Sequence, residues 1–259
     1  MRDTLLSELV KLVVEMKHRN PRMGYDRIAV QIYQAFGIEV DKHVVRRILA
    51  KHYKPSYPGG PSWLTFLSQT KDSLWSRDAG PIDLFRCESF QLKSFWVMLA
   101  IDINTRRIIG VENHAGDLDG PTVCRLFNRI QAGRPPPRWI STDHDPLFTY
   151  HRWQANLRVL GIEEVKTVPY TPLSHPFVER VIGSVRREFL NQLLFWNGRD
   201  LSRKLSQYLV YYNETRGHLS LNGRTPEQSA GNTAKSKLPI ENYSWISHCN
   251  GRFSTPIAC

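Results

Sequence analysis

Between residues 55 and 62 the chain reads Pro55-Ser56-Tyr57-Pro58-Gly59-Gly60-Pro61-Ser62, and the hydrophobic pattern differs on its two sides. Three prolines and two glycines in eight residues cannot continue a helix. Before the break, apolar residues recur at helical spacing. After it come short apolar runs of strand length. A chain built this way folds as a small all-helical module joined to a larger α/β body. We place the helical module at 1–54, a linker at 55–74, the α/β body at 75–234 and a C-terminal tail at 235–259.

In the first module, Leu5, Leu9, Leu12, Val13 and Met16 keep one helix face apolar. Asp3 or Thr4 is placed to start that helix, and Asn20-Pro21 to stop it. A second helix is expected over 25–35 with Ile28, Ile32 and Ala35 on one face. Phe36-Gly37-Ile38 turns the chain, and Asp41 caps a third helix over 42–51. Two short helices joined by a glycine-containing turn read as a helix-turn-helix. Its last helix carries Lys42, His43, Arg46, Arg47 and Lys51, donors suited to phosphates and base edges.

In the body, strands are expected at 82–85, 95–101 and 107–111, close enough to form an antiparallel meander. The run Phe95-Trp96-Val97-Met98-Leu99-Ala100-Ile101 is apolar throughout, as for a strand buried on both faces. A helix follows over 119–132, with Val123, Leu126, Phe127 and Ile130 as its buried stripe. A strand at 139–142, a helix at 150–160 and a strand at 165–168 come next. Helices near 176–192 and 200–213 close the body. The result is a mixed five-stranded sheet with flanking helices. In the tail, 243–246 has the pattern of an added strand.

The composition permits a real core, with 41% hydrophobic residues, and the formal charge of +11 favours a polyanionic partner, nucleic acid being the commonest. The four cysteines form no Cys-x-x-Cys pair, so neither a zinc knuckle nor a disulfide framework is expected. The sequence starts without a signal-peptide pattern, and no apolar run approaches the ~20 residues that span a bilayer. A cytoplasmic, nucleoid-associated protein with no membrane partner is expected.

Three acids stand out. Asp83 interrupts an apolar strand, where a lone buried carboxylate costs several kcal/mol unless paired or metal-bound. Asp143 follows the fourth strand, and strand ends are where sites gather in open sheets. Asp145 competes with it in the same loop. Glu179 lies in the opening turns of a helix started by Pro176. Gly183 and Arg186 follow along the same face, a small residue and a cation suited to close contact with a phosphodiester. Singly, each acid has an ordinary structural use, as an outward strand residue, a helix cap or a partner for the helix dipole. Jointly they form a ligand set for two Mg2+ ions, hard cations that take oxygen donors and clamp the attacking and leaving oxygens at phosphorus.

The motifs Ile82-Asp83-Leu84, Ala100-Ile101-Asp102, Thr105-Arg106, Ser141-Thr142-Asp143, Glu179-Arg180-x-Ile182-Gly183-Ser184 and Arg187-Glu188 accompany these acids. They are followed by Tyr212-Asn213-x-x-Arg216-x-His218 and Thr225-Pro226. Together with the thirty-five residues between Asp143 and Glu179, they make the chain resemble the DDE integrase/transposase superfamily, in particular bacterial insertion-sequence transposases with an integrase core. The resemblance spans about residues 20–230. It implies a ribonuclease H-like core and a catalytic, metal-binding triad of Asp83, Asp143 and Glu179, loaded with two Mg2+ ions or with Mn2+. It also implies cleavage of double-stranded DNA at element ends and joining of the freed 3′-OH to target DNA. Lys42, His43, Arg46, Arg47, Arg180, Arg186 and Arg187 are the expected DNA contacts. A homo-oligomer is expected, with an upstream companion protein as a further candidate partner. One departure is His144-Asp145 after the second acid, where many members of the family have Asn-Gly.

Two other functions compete with this reading. A sequence-specific DNA-binding protein without catalysis would keep the helix-turn-helix but not require the three acids. A nuclease for RNA–DNA hybrids would not require the basic helices. His43-x-x-Arg46 is similar to part of a tyrosine recombinase site but lacks a nucleophile context. Asp102 is read as a turn-former, and Tyr208, Tyr211 and Tyr212 as packing residues.

Overall fold

Asn20 ends the first helix by folding its own side chain back onto that helix, and its amide nitrogen donates to the Met16 carbonyl at 3.0 Å. The structure, a computed structural model, describes residues 2–54, 82–142, 145–166, 176–231 and 237–258. The linker expected over 55–74, the acid Asp143 with His144, and the last residues of the strand expected over 165–168 lie outside them. In chain order the elements are α1 (Arg2–Arg19), α2 (Tyr25–Phe36), α3 (Lys42–His52), β1 (Ile82–Glu88), β2 (Ser94–Ile101), β3 (Ile108–Ala115) and α4 (Gly120–Gln131). Then follow β4 (Trp139–Thr142), α5 (Pro146–Thr149), α6 (His151–Leu160), β5 (Glu163–Lys166) and α7 (Pro176–Ser184). A π-helical turn (Val185–Phe189) extends α7, and α8 (Gly198–Glu214), α9 (Pro226–Ser229), β6 (Tyr243–His248) and β7 (Phe253–Ala258) complete the order.

The chain divides into two compact units, Met1–Gly60 with Val210–Cys259, and Pro61–Leu209. The first unit therefore draws on both ends of the sequence. Its core is Leu12, Val13 and Met16 of α1, Ile28, Ile32 and Phe36 of α2, and Val45, Ile48 and Leu49 of α3, closed by Ile240. The turn after α2 requires a left-handed residue, and Gly37 supplies it with φ 73° while its N–H bonds the Tyr33 carbonyl. Asp41 caps α3, its carboxylate accepting from the His43 N–H at 2.6 Å. The C-terminal segment, set apart as a tail from its sequence, works within this unit. Lys237 Nζ caps the Tyr33 and Gln34 carbonyls at the end of α2, at 2.9 and 3.0 Å. β6 and β7 pair as an antiparallel hairpin. Asn20, buried, joins that hairpin to α1 by exchanging two hydrogen bonds with the Ser254 backbone, at 2.9 and 2.8 Å.

The second unit is mixed α/β. β1, β2 and β3 form an antiparallel meander, and β4 and β5 a parallel pair. β4 lies in contact with β1. Met98 and Ala100 of β2 face a core that includes Ile82, Ile140, Val123, Phe127, Trp153 and Leu157, so α4 and α6 cover that side. Gly110 of β3 permits the close approach of α4. A Cβ there would meet Ile130 Cγ2 at 2.8 Å. The alternate β2 residues Phe95, Val97 and Leu99 are buried on the opposite face, as a strand covered on both sides requires. The segment after α7 and the start of α8 lie on that side. Phe195 packs edge-on against Phe95, and Asn113 of β3 donates to Ser202 Oγ of α8 at 2.6 Å.

Candidate active site

Strand register settles which way Asp83 faces. Asp83 pairs with Leu99, and Phe85 with Val97, so Asp83 shares a sheet face with Phe85 and not with Ile82. The side chain is half-buried, and its Oδ1 accepts from the Leu84 N–H at 2.6 Å. On the same face, the Arg186 guanidinium stands over the Phe85 ring at 5.1 Å. Arg186 belongs to the π turn that continues α7, the helix opened by Glu179. The first and third acids are therefore carried by elements that meet on one side of the sheet. Cys87 lies two residues further along this face. Burial pushes its thiol up to about 12, against the opposing pull of Arg186, so it holds its proton and offers no nucleophile.

Glu179 and Arg180 are exposed in the first turns of α7, while Val178, Val181, Ile182 and Val185 are buried. The row expected to run from Glu179 through Gly183 to Arg186 is arranged differently. A Cβ on Gly183 would meet Arg187 Nη1 at 2.7 Å, so it is Arg187 that lies over Gly183. An i, i+4 pair shares one helix face, so Arg187 belongs to the row of Gly183. The π turn begins after Gly183, with the Leu190 N–H shared between Arg186 O and Val185 O. Arg186 is turned to Phe85, and Arg187 is exposed.

The second acid, Asp143, is outside the described residues, as is His144. The strand leading to it, β4, is where the sequence placed it, Trp139–Thr142. Asp145, its competitor, caps α5, accepting from the Leu147 N–H at 2.8 Å ahead of Pro146. Asp102 forms the turn after β2, accepting from the Asn104 N–H at 2.9 Å and the Thr105 hydroxyl at 2.7 Å. Among the described residues, no three His, Cys, Asp or Glu side chains are grouped to hold a metal ion.

One acid in this neighbourhood had no signal in the sequence. Glu164 of β5 takes hydrogen bonds from the Thr142 hydroxyl, from Trp153 Nε1 at 3.2 Å and from Gln154 Nε2 at 2.6 Å. In the sequence it is half of an unremarkable Glu163-Glu164 pair. Strand alternation alone would have turned one of the two inward. In the first unit, Lys42, His43, Arg46 and Arg47 of α3 are all exposed, with Val45, Ile48 and Leu49 buried behind them. Lys42 approaches Asp26 at 3.6 Å, a pair exposed on both sides and weak.

A family model described as "Integrase core domain" matches residues 160–226, which include Glu179 and its helix. The chain is 25% identical over 226 residues to an uncharacterized 39.2 kDa protein of insertion element IS476 from Xanthomonas euvesicatoria, covering 85% of this chain and 64% of that protein. It is 23% identical over 136 residues to the transposase for insertion sequence element IS904 from Lactococcus lactis, covering 52% of this chain and 54% of the other. These matches support a place in the DDE integrase/transposase superfamily. It spans somewhat more than half the length of these two relatives. Among solved structures it is similar to the catalytic core domain of BIV integrase, at 24% identity and a TM-score of 0.41, covering 56% of this chain and 89% of that one. It is similar too to the HTLV-2 integrase catalytic core in complex with magnesium, at 17% identity and a TM-score of 0.44, covering 57% of this chain and 91% of that one. Among the described residues, no helix is long and apolar enough to cross a membrane.

Proposed function

We propose that this chain is a DNA transposase that cuts element ends and joins them to target DNA, with Asp83, Asp143 and Glu179 as its metal-binding carboxylates. The observation that carries the proposal is the placement of Asp83 on the sheet face that also receives Arg186, from the helix begun by Glu179. Likeness to insertion-element proteins supports it. The contact of β4 with β1 supports joining the two ladders into one ribonuclease H-like sheet of five strands, order β3-β2-β1-β4-β5.

The donors fit the metal. Half-buried Asp83 and exposed Glu179 offer hard carboxylate oxygens, the ligand type that selects Mg2+ or Mn2+ over softer ions. Two bound ions would supply Lewis-acid stabilisation of the phosphodiester oxygens and a nucleophile at neutral pH. The chain's own cations do the rest. Arg180 and Arg187, exposed on the helix of Glu179, hold backbone phosphates beside the site. Lys42, His43, Arg46 and Arg47 on α3 bind DNA as the second helix of a helix-turn-helix. Two element ends call for a homo-oligomer, working in the cytoplasm on double-stranded DNA.

Asp83→Asn, Asp143→Asn and Glu179→Gln should each abolish Mg2+-dependent cleavage of end DNA and leave DNA binding nearly intact. Cleavage retained by any one of them refutes the triad. Binding without any metal-stimulated nicking in the unaltered chain would make it a DNA-binding protein only.

A further inference from the structure

We propose that Glu164 is a positioning residue for the metal site: it fixes Thr142, the last residue of β4 and the covalent neighbour of Asp143. This rests on the triad proposed above. Glu164 lies opposite Ile140 in the parallel pair, on the side of β4 that holds Ile140 and Thr142. Both of those are buried, Thr142 completely. From there the carboxylate reaches along the strand to the Thr142 hydroxyl. Its two oxygens also take the Trp153 and Gln154 side chains of α6, at 3.2 and 2.6 Å. Trp153 is itself completely buried and packs edge-on against Phe127 and Phe148, so it cannot follow a displaced strand end.

The chemistry of the knot is unusual for a structural acid. All three side-chain donors are neutral. Among the described residues Glu164 forms no salt bridge, although the chain is rich in Lys and Arg. A glutamine at this position is a poor replacement. Its NH2 would face the Gln154 NH2 unless Gln154 turned over, and a turned Gln154 gives up its bond to the Phe148 carbonyl. Three donors converging on one carboxylate tie β4, β5 and α6 at a single point, one residue before the second acid. Groups that orient a metal ligand without touching the metal are commonly worth 10–100-fold in metal affinity.

The test uses the full chain and Mn2+ alone, followed by electron paramagnetic resonance of free ion, so that no DNA activity is needed. Glu164→Gln and Thr142→Val should each weaken Mn2+ binding by about tenfold, whereas Thr142→Ser, which keeps the hydroxyl, should bind like the unaltered chain. Thr142→Val preserves side-chain volume and tests the link should Glu164→Gln fold poorly. Asp143→Asn is measured beside them. If Asp143→Asn loses Mn2+ but Glu164→Gln and Thr142→Val bind normally, the positioning role is overturned and the triad stands. If Thr142→Ser is as weak as Thr142→Val, the hydroxyl link is overturned likewise. Unchanged binding in Asp143→Asn, or none in the unaltered chain, overturns the triad and the positioning role with it.

Discussion

Asn20 shows what one polar side chain in an apolar place can do. It is buried beside Met16 and satisfies itself fully, closing α1 through the Met16 carbonyl and bridging to the Ser254 backbone through two further bonds. Asn20→Ala would leave the Ser254 N–H and C=O without these partners in a dry setting. Each buried group so orphaned costs about 1–3 kcal/mol, and we expect a loss of about 3 kcal/mol, read from the midpoint of urea unfolding of the first unit. A loss below about 0.5 kcal/mol would mean water replaces the amide there. Asp200 is a different case. Burial pushes its carboxyl up, but bonds from Lys204, the Trp196 N–H and Arg203 outweigh burial and hold it below the usual range. A carboxyl whose folded pKa is depressed contributes stability above its unfolded value, about 3.9, and loses it as pH falls through the folded value. The stability gap between the unaltered chain and Asp200→Asn should therefore be flat above pH about 5 and close below about 4. A gap that widens on acidification would reverse the assigned sign.

At the level of elements, much was written in the hydrophobic pattern. β4 falls on Trp139–Thr142 as expected, and α2, α3 and α4 begin and end within a residue or two of their expected bounds. What the pattern hid has physical reasons. β1 and β3 run three or four residues further than expected, through Arg86-Cys87-Glu88 and Glu112-Asn113-His114. Ladder hydrogen bonds hold those residues in extended form, whatever their side chains. The π turn was not legible either. Val178, Val181, Ile182, Val185 and Phe189 suit an ordinary helix equally well, and only the backbone bond from Leu190 to Val185 shows the widening. The candidate site could be read from the sequence only as positions on elements. Asp83 could be given a face by alternation and Glu179 an opening turn by its proline start, but only the contact of Arg186 with Phe85 separates it from Arg187. The two arginines should now separate by experiment. Arg187→Ala should weaken DNA binding alike on all sequences and lower the salt dependence of affinity by about one phosphate contact. Arg186→Ala should instead cost stability, about 1 kcal/mol for the lost contact with Phe85. Equal effects of the two on the salt slope would refute the division.

Across the whole molecule, the cores explain what sequence order conceals. A glycine- and proline-rich stretch separates the helical module from the α/β body along the chain, yet the first unit is completed by residues more than two hundred positions away. Pattern reading gives 235–259 as a tail with one strand-like run at 243–246, and a lone two-stranded hairpin is marginal in water. It becomes stable here by borrowing a surface. Phe253 stacks on Tyr211 at 4.2 Å with the rings nearly parallel, Tyr243 packs edge-on against Phe36, and Ile240 joins the core of α1, α2 and α3. Lys237 supplies the two C-terminal caps of α2. Deleting 237–259 removes the caps, the Ser254 bridge and these apolar contacts at once. The amides of Leu12–Met16 and Ile28–Ile32 should then exchange with solvent at least about a hundredfold faster, the equivalent of about 3 kcal/mol of lost local stability. The amides of Val97–Leu99 and Val123–Phe127 draw on the separate core around Trp153 and should keep their protection. Hydrogen-exchange mass spectrometry resolves both sets in one measurement. Protection lost equally in both would show that the two cores fold as one. Protection kept in both would show that the three helices stand without the hairpin, leaving it free for another role.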